Sequence, residues 1–321
     1  MFKKLMASFG VGTAKVDLVL DKQQYRIGET IRGKAVVEGG NVDQQVNSLD
    51  IDLMLKFNIR GKEFSRVVHT INVANNFFVK EKKTVEFPVE HTLPADYPIS
   101  KGSVSYHLIT KMNIIRSTDS GDTDSLVILP GREMELVIEA FDILGFKEKI
   151  GSGRIEKFGQ EFVYYPTTAF SDEIKELAFK FFNDNGNIKL FAEVRLLGSN
   201  MISGVAHYTE ILILPELLRD KNGAGQIADH IREFIENDLK QVARSGPKPP
   251  PNFQSYQQQA ASRPGFGGFA GGMVAGLLGA MMISSLFDMG GNQGPEGDMT
   301  EGEAGDEGDF GFDFGDFGDD I

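Results

Sequence analysis

GETIRGKAVVEGG, residues 28–40, is the stretch on which the fold turns. Gly28, Gly33 and Lys34 stand in the G-x-x-x-x-G-K spacing of a phosphate-binding loop. Such a loop needs a strand before its glycines, a helix after them whose first amides hold the phosphates, and a hydroxyl beside the lysine for magnesium. Position 35 is alanine, and the residues that follow alternate, with Ile31, Gly33, Ala35 and Val37 set against Arg32, Lys34 and Glu38. Alternation with period two marks a strand with one buried and one wet face. The stretch therefore reads as a turn feeding a strand, not as a nucleotide site.

Working outward, the same period recurs. LDIDLMLKF places Leu49, Ile51, Leu53, Leu55 and Phe57 on one face and Asp50, Asp52 and Lys56 on the other. TVEFPV repeats it with Val85, Phe87 and Val89, and SVSYHLITKMNI with Val104, Tyr106, Leu108 and Met112. EMELVIEA, EFVYYP, ELAFKFF, IKLFAEVRLL and YTEILILP extend the series, all read as strands. Turn clusters (EGGN, STDSGDTD, NDNGN) punctuate them at short intervals, as antiparallel sandwiches require. The predicted class is all-β, two tandem antiparallel β-sandwiches followed by one amphipathic helix and a low-complexity tail.

GVGTAKVDLVLDKQQYRIGETIRGKAVVEGG resembles the opening of the bacterial sporulation-control protein family, whose fold is arrestin-like. The resemblance continues through LPADYPISKGSVSYHLITKMNI, IEAFDILGFKEK and FGQEFVYYPTTAFSDEIKELAFKFF, in the same order, over about residues 5–240. It implies sandwiches at 12–130 and 131–216, and a regulatory role in bacterial development or cell-cycle control exerted through protein contacts. Members also occur in bacteria that make no spores, so the process itself is left open.

Beyond the sandwiches, NGAGQIADHIREFIENDLKQVARSG predicts a helix over 222–243, with Ile227, Ile231, Phe234, Ile235 and Leu239 in one stripe. Such a stripe packs on its own body or, as the alternative, holds a partner through Ile227, Ile231 and Phe234. Residues 245–266 are rich in proline and glutamine and read as an extended linker. Residues 267–287 are rich in glycine and apolar, without a charge between Arg263 and Asp288. Gly268, Gly272 and Gly276 recur every fourth residue, the spacing that lets helices approach closely in membranes. With Leu277 and Leu278 they form a candidate surface for membrane contact or self-association within 269–287; the other reading is a collapsed or disordered segment. At the opposite end, residues 1–11 predict a short amphipathic helix rather than a signal peptide.

Charge and composition bound the chemistry. The 321-residue chain carries 33 bases, 46 acids and no cysteine, for a net charge of −13. Twelve of those acids fall between Asp288 and Asp320, where there is no lysine or arginine. Without them the body holds 34 acids against 33 bases. An acidic tail on a balanced body does not favour a nucleic-acid partner, because neutralising phosphates takes clustered bases. Disulfides, thiolate nucleophiles and cysteine-bound zinc are excluded. The five histidines (69, 91, 107, 207, 230) form no local metal motif. Loops 119–124 and 184–187 offer oxygens that could meet calcium but read better as hairpin turns. Asp50 and Asp52 read as a wet face rather than a pair of catalytic acids. The expectation is a non-enzyme with no cofactor, working on other proteins in the bacterial cytoplasm or at the inner face of its membrane. The alternative is a membrane-associated or self-assembling factor using 269–287.

Overall fold

Gly28 closes a turn at φ 81°, where Glu29 N–H donates to the Arg26 carbonyl, and the chain then runs straight into a nine-residue strand. The computed structural model describes residues 12–59, 61–95, 97–156, 159–184, 187–197, 206–220 and 222–250. The expected N-terminal helix at 1–11 and the segments from 251 onward lie outside the described residues. The strand β3 (Thr30–Glu38) pairs antiparallel with β1 (Lys15–Leu20) on one side and β6 (Thr84–Thr92) on the other. Gly33 stands there for a steric reason: a Cβ on it would lie 2.5 Å from the Val19 carbonyl oxygen of β1. Lys34 is spent on a surface ion pair with Glu86, 2.9 Å, beside the Arg32–Glu90 pair at 3.0 Å.

This three-stranded sheet faces a five-stranded one in the order β2 (Gln24–Arg26), β8 (Ser120–Leu129), β7 (Ser105–Ile114), β4 (Gln44–Ile59), β5 (Lys62–Val79). All its pairs are antiparallel except β2–β8. The alternating residues do what their spacing predicts. Leu49, Ile51, Leu53, Leu55 and Phe57 of β4 and Ile31, Ala35 and Val37 of β3 are buried between the sheets. Full burial of each large side chain contributes roughly 1.5–3 kcal/mol.

The second half is a six-stranded antiparallel sheet, β10 (Arg154–Glu156), β11 (Gly159–Pro166), β12 (Ile174–Asp184), β13 (Asn187–Leu196) and β14 (Ala206–Ile213), with β9 (Phe146–Glu148) also on β11. One correction applies here. EMELVIEA, read as a strand, lies in a helix, α1 (Arg132–Ile143). Acids and apolar residues alternate in it, but Met134, Val137, Ala140 and Phe141 also fall three and four apart, and those four are the ones buried. The choice is made by tertiary contact. Phe141 stacks on Phe179 of β12 at 4.7 Å between ring centroids and meets Tyr164 and Phe146 at 5.6 Å each. Gly145, at φ 76°, ends the helix. After β14 a one-turn helix, α2 (Pro215–Arg219), leads into α3 (Gly223–Ser245), which lies against α1 and β14. Among the described residues the inner face of this sheet is thus covered by helices.

One buried side chain ties the two halves together. Gln160 of β11 is 3% exposed. Its Oε1 accepts from Ile99 N–H at 2.9 Å, and its Nε2 donates to the Ile99 carbonyl at 3.0 Å and the Gly153 carbonyl at 2.8 Å. Ile99 belongs to the proline-containing connection before β7, which Tyr106 holds from the other side through Pro98 (2.9 Å).

Candidate interaction surface

Sheet edges are where a sandwich can meet another chain, because their outward N–H and C=O groups have no strand to pair with. At one side of the first sandwich β5 and β6 end their respective sheets next to each other. Across the gap, His69 stacks on His91 at 4.1 Å and Phe77 meets Phe87 at 4.7 Å. β5 is eighteen residues long and, among the described residues, pairs with β4 alone. Among the described residues no backbone hydrogen bond joins its outer edge to anything. Val67 and Phe78 stand exposed on it, at 38% and 67%. The edge is partly blunted: pairing shifts register at Leu49/Asp50 and Leu53/Met54, Asn76 sits at φ 50°, and Pro88 within β6 has no N–H to offer.

Sequence reasoning missed β5. Most of its side chains are exposed, and register shifts break up the partly buried Phe64, Ile71, Ala74 and Phe77, so KEFSRVVHTINVANNFFV keeps no single period-two count. The available cue was its content of β-branched and aromatic residues.

Two of the histidines, His69 and His91, meet in the stack, and among the described residues no third imidazole or acid joins them as a metal group. His91 is half-buried in the stack, and burial first, then the neighbouring His69, pushes its imidazole down to about 4. His230 Nε2 donates to the Leu212 carbonyl at 2.8 Å. His207 of β14 is fully buried. Its Nδ1 accepts from Lys248 N–H at 2.9 Å, which leaves Nε2–H to donate to Asp238 of α3 at 2.6 Å. Tyr208 N–H donates to the Lys248 carbonyl at 3.2 Å. Residue 248 is therefore strapped along the β14 edge, at the mouth of a groove of roughly 550 Å³ lined by Tyr208, Phe234, Asn237 and Gln241. The imidazole organises a fold contact and presents no free nitrogen.

Asp50, Asp52, Asp119 and Asp122 are likewise engaged. Asp52 is 7% exposed under Thr70 and Lys111, which donate to it at 2.6 and 2.7 Å, while Asp50 accepts from Asn72 at 2.7 Å. In loop 119–124, Asp119 accepts from Asn113 and from Ile114 N–H (3.1 Å), and Asp122 from Leu18 N–H (3.1 Å). Asp124 is held up to about 6, by burial first and then by the charge of Asp122. Asp119 thus serves the hairpin, and Asp122 ties it to β1 of the facing sheet. Asp184 and Asn187 are cross-strand partners at the next one, and residues 185 and 186 between them lie outside the described residues. Among the described residues no group of three or more histidines or acids is arranged to hold a metal ion.

Of the residues singled out for partner contact, Ile227 and Ile231 are fully buried, and Phe234 is partly buried beside the β14 groove. The stripe faces its own body. Gly268, Gly272, Gly276, Leu277 and Leu278 lie outside the described residues. Among those described, no helix is long and apolar enough to cross a membrane.

Comparison with known proteins gives one consistent result. The family model for the SpoOM protein matches residues 2–195. The sporulation-control protein spo0M of Bacillus subtilis (strain 168) is 31% identical over 207 residues, which make up 60% of this chain and 80% of that relative. The crystal structure of Spo0M from Bacillus subtilis superposes with a TM-score of 0.57 at 24% identity, covering 70% of this chain and 99% of that one. That last likeness is one of fold.

Proposed function

Because this chain belongs to the SpoOM protein family, we propose that it is a non-enzymatic regulator that acts by binding other proteins at the β5–β6 edge. The regulatory part follows its relative, a sporulation-control protein. The observation that carries the binding mode is the open edge of β5, eighteen residues long with most of its side chains exposed. An extended partner segment adds there by main-chain hydrogen bonds, with Val67 and Phe78 supplying apolar contacts. Asp50 and Asp52 beside it are held in hydrogen bonds of their own, which suits a surface for contact better than a centre for chemistry.

A photo-crosslinking amino acid placed at Val67 in the full chain, in cells, tests this against the same group at Tyr165, an exposed position on the other half. A discrete protein adduct formed from position 67 and absent from 165 is the expected result. No adduct from position 67, nor from Thr84 or Glu86 on β6, refutes the edge as the working surface.

A second reading rests on the uncharged stretch between Arg263 and Asp288, with glycine every fourth residue. In it, 269–287 brings the regulator to the cytoplasmic face of a membrane or to further copies of itself. A chain truncated after Gly246 that keeps the full chain's membrane fraction and oligomeric size removes that reading and leaves the first intact.

A further inference from the structure

The β5 edge ends in a patch of unusual composition. Phe78 is the only exposed phenylalanine among the described residues. It pairs across the sheet with Gln45, whose carbonyl accepts from Ile115 N–H (2.9 Å), and Ile115 is 42% exposed. Phe78, Gln45 and Ile115 therefore stand in a row at one end of the sandwich. The turn that follows carries Lys80, Lys82 and Lys83, all exposed and joined to no acid among the described residues, and Arg116 follows Ile115. Two acids share this end: Asp43 accepts from Glu81 N–H at 2.8 Å. The patch is apolar beside basic, along an edge with unpaired backbone groups.

The chain itself contains a segment of complementary chemistry. Residues 305–321 hold seven acids, no base, and Phe310, Phe312, Phe314 and Phe317. The first three phenylalanines alternate with Gly311 and Asp313, so in an extended conformation they occupy one face. We propose that this segment docks in cis on the Phe78–Lys83 end of β5, as an added strand. Its phenylalanines meet Phe78 and Ile115, and its carboxylates meet Lys80, Lys82 and Lys83. Opposite charges on an exposed surface give register and rate more than affinity; the aromatic contacts and main-chain bonds hold it.

Reach permits the contact. Helix α3 ends at Ser245, and about sixty residues separate it from 305. A flexible chain of that length spans roughly 40–45 Å root-mean-square, about the diameter of a body of this size. The tethered segment then experiences a local concentration on the order of 1 mM. An intrinsic dissociation constant of about 0.1 mM keeps it docked roughly nine-tenths of the time. The docking needs no partner; only its consequence, competition for the edge, rests on the function proposed above.

Hydrogen exchange on the purified full chain tests it. Three proteins are compared: the natural chain, the triple variant Phe310→Ser, Phe312→Ser, Phe314→Ser, and the triple variant Lys80→Glu, Lys82→Glu, Lys83→Glu. Each variant is expected to speed exchange of the amides of residues 70–79 by about tenfold, with β12 and β13 unchanged. Adding Asp309→Lys, Asp313→Lys and Asp316→Lys to the Lys80/82/83 variant is expected to restore protection. Equal exchange in all proteins overturns the proposal. Protection that grows with protein concentration places the segment on a second copy and overturns docking in cis.

Discussion

Replacing Gln160 by methionine keeps the side chain's length and removes its amide. In the folded protein this leaves Ile99 N–H, the Ile99 carbonyl and the Gly153 carbonyl without the partners they have at 2.9, 3.0 and 2.8 Å. Each buried polar group left unpaired costs about 1–3 kcal/mol. The carbonyls have second lone pairs and lose less than the amide, so the sum is taken near the lower bound, about 3–4 kcal/mol. For a body of more than two hundred residues that is a fall of roughly 6–16 °C in melting temperature. Because Gln160 sits at the seam, the loss should also loosen the Pro98–Ser100 connection from β11. Urea unfolding followed by far-ultraviolet circular dichroism, with hydrogen exchange over residues 97–104, reads both effects. A fall in unfolding free energy below about 1 kcal/mol, with unchanged exchange over 97–104, would show that the seam does not depend on this side chain.

Three further outcomes follow from the same geometry. Gly33→Val should lower unfolding free energy by about 2–4 kcal/mol in urea titration, because its Cβ meets β1 backbone at 2.5 Å, and a neutral result contradicts the close strand approach. His207→Ala should release the strap at Lys248, so that the amides of Lys248 and Tyr208 exchange at least about tenfold faster at native temperature; exchange at the natural rate would dissociate the strap from the imidazole. His91 gives a pH dependence: its folded value of about 4 lies below the unfolded one, so the unfolded chain binds more protons between pH 6.5 and 4. The His91 contribution is full above pH 6.5 and falls as pH drops toward 4. His91→Leu should flatten the urea midpoint's slope in that window, and an unaltered slope refutes the assignment.

Much of this protein was legible without coordinates, and the reasons are local. Leu49, Ile51, Leu53, Leu55 and Phe57 announced β4 because one face of that strand lies in the core and the other carries Asp50, Asp52 and Lys56, so hydropathy oscillates with the pleat. Gly28 and Gly33 announced a turn and a strand once Ala35 and the alternation after it were weighed, although the reason for Gly33 lies across the sheet, in the Val19 carbonyl. The stripe of Ile227, Ile231 and Ile235 announced α3 for the matching reason at a period of 3.6. Residues 132–143 carry both periods at once, and nothing within the segment separates them; contact with Phe179 and Tyr164 makes it a helix. β5 carries no unbroken period, because register shifts interrupt its partly buried face, and it becomes a strand only through pairing with β4. Gln160 and His207 were invisible as organising residues, since a lone amide or imidazole takes its role from the groups the fold brings to it. The sequence on its own determined which faces are buried, because burial follows side-chain chemistry repeated along the chain. Tertiary structure decided which edges stay open and which polar groups meet, because those depend on strand order and register, which arise only when distant segments come together.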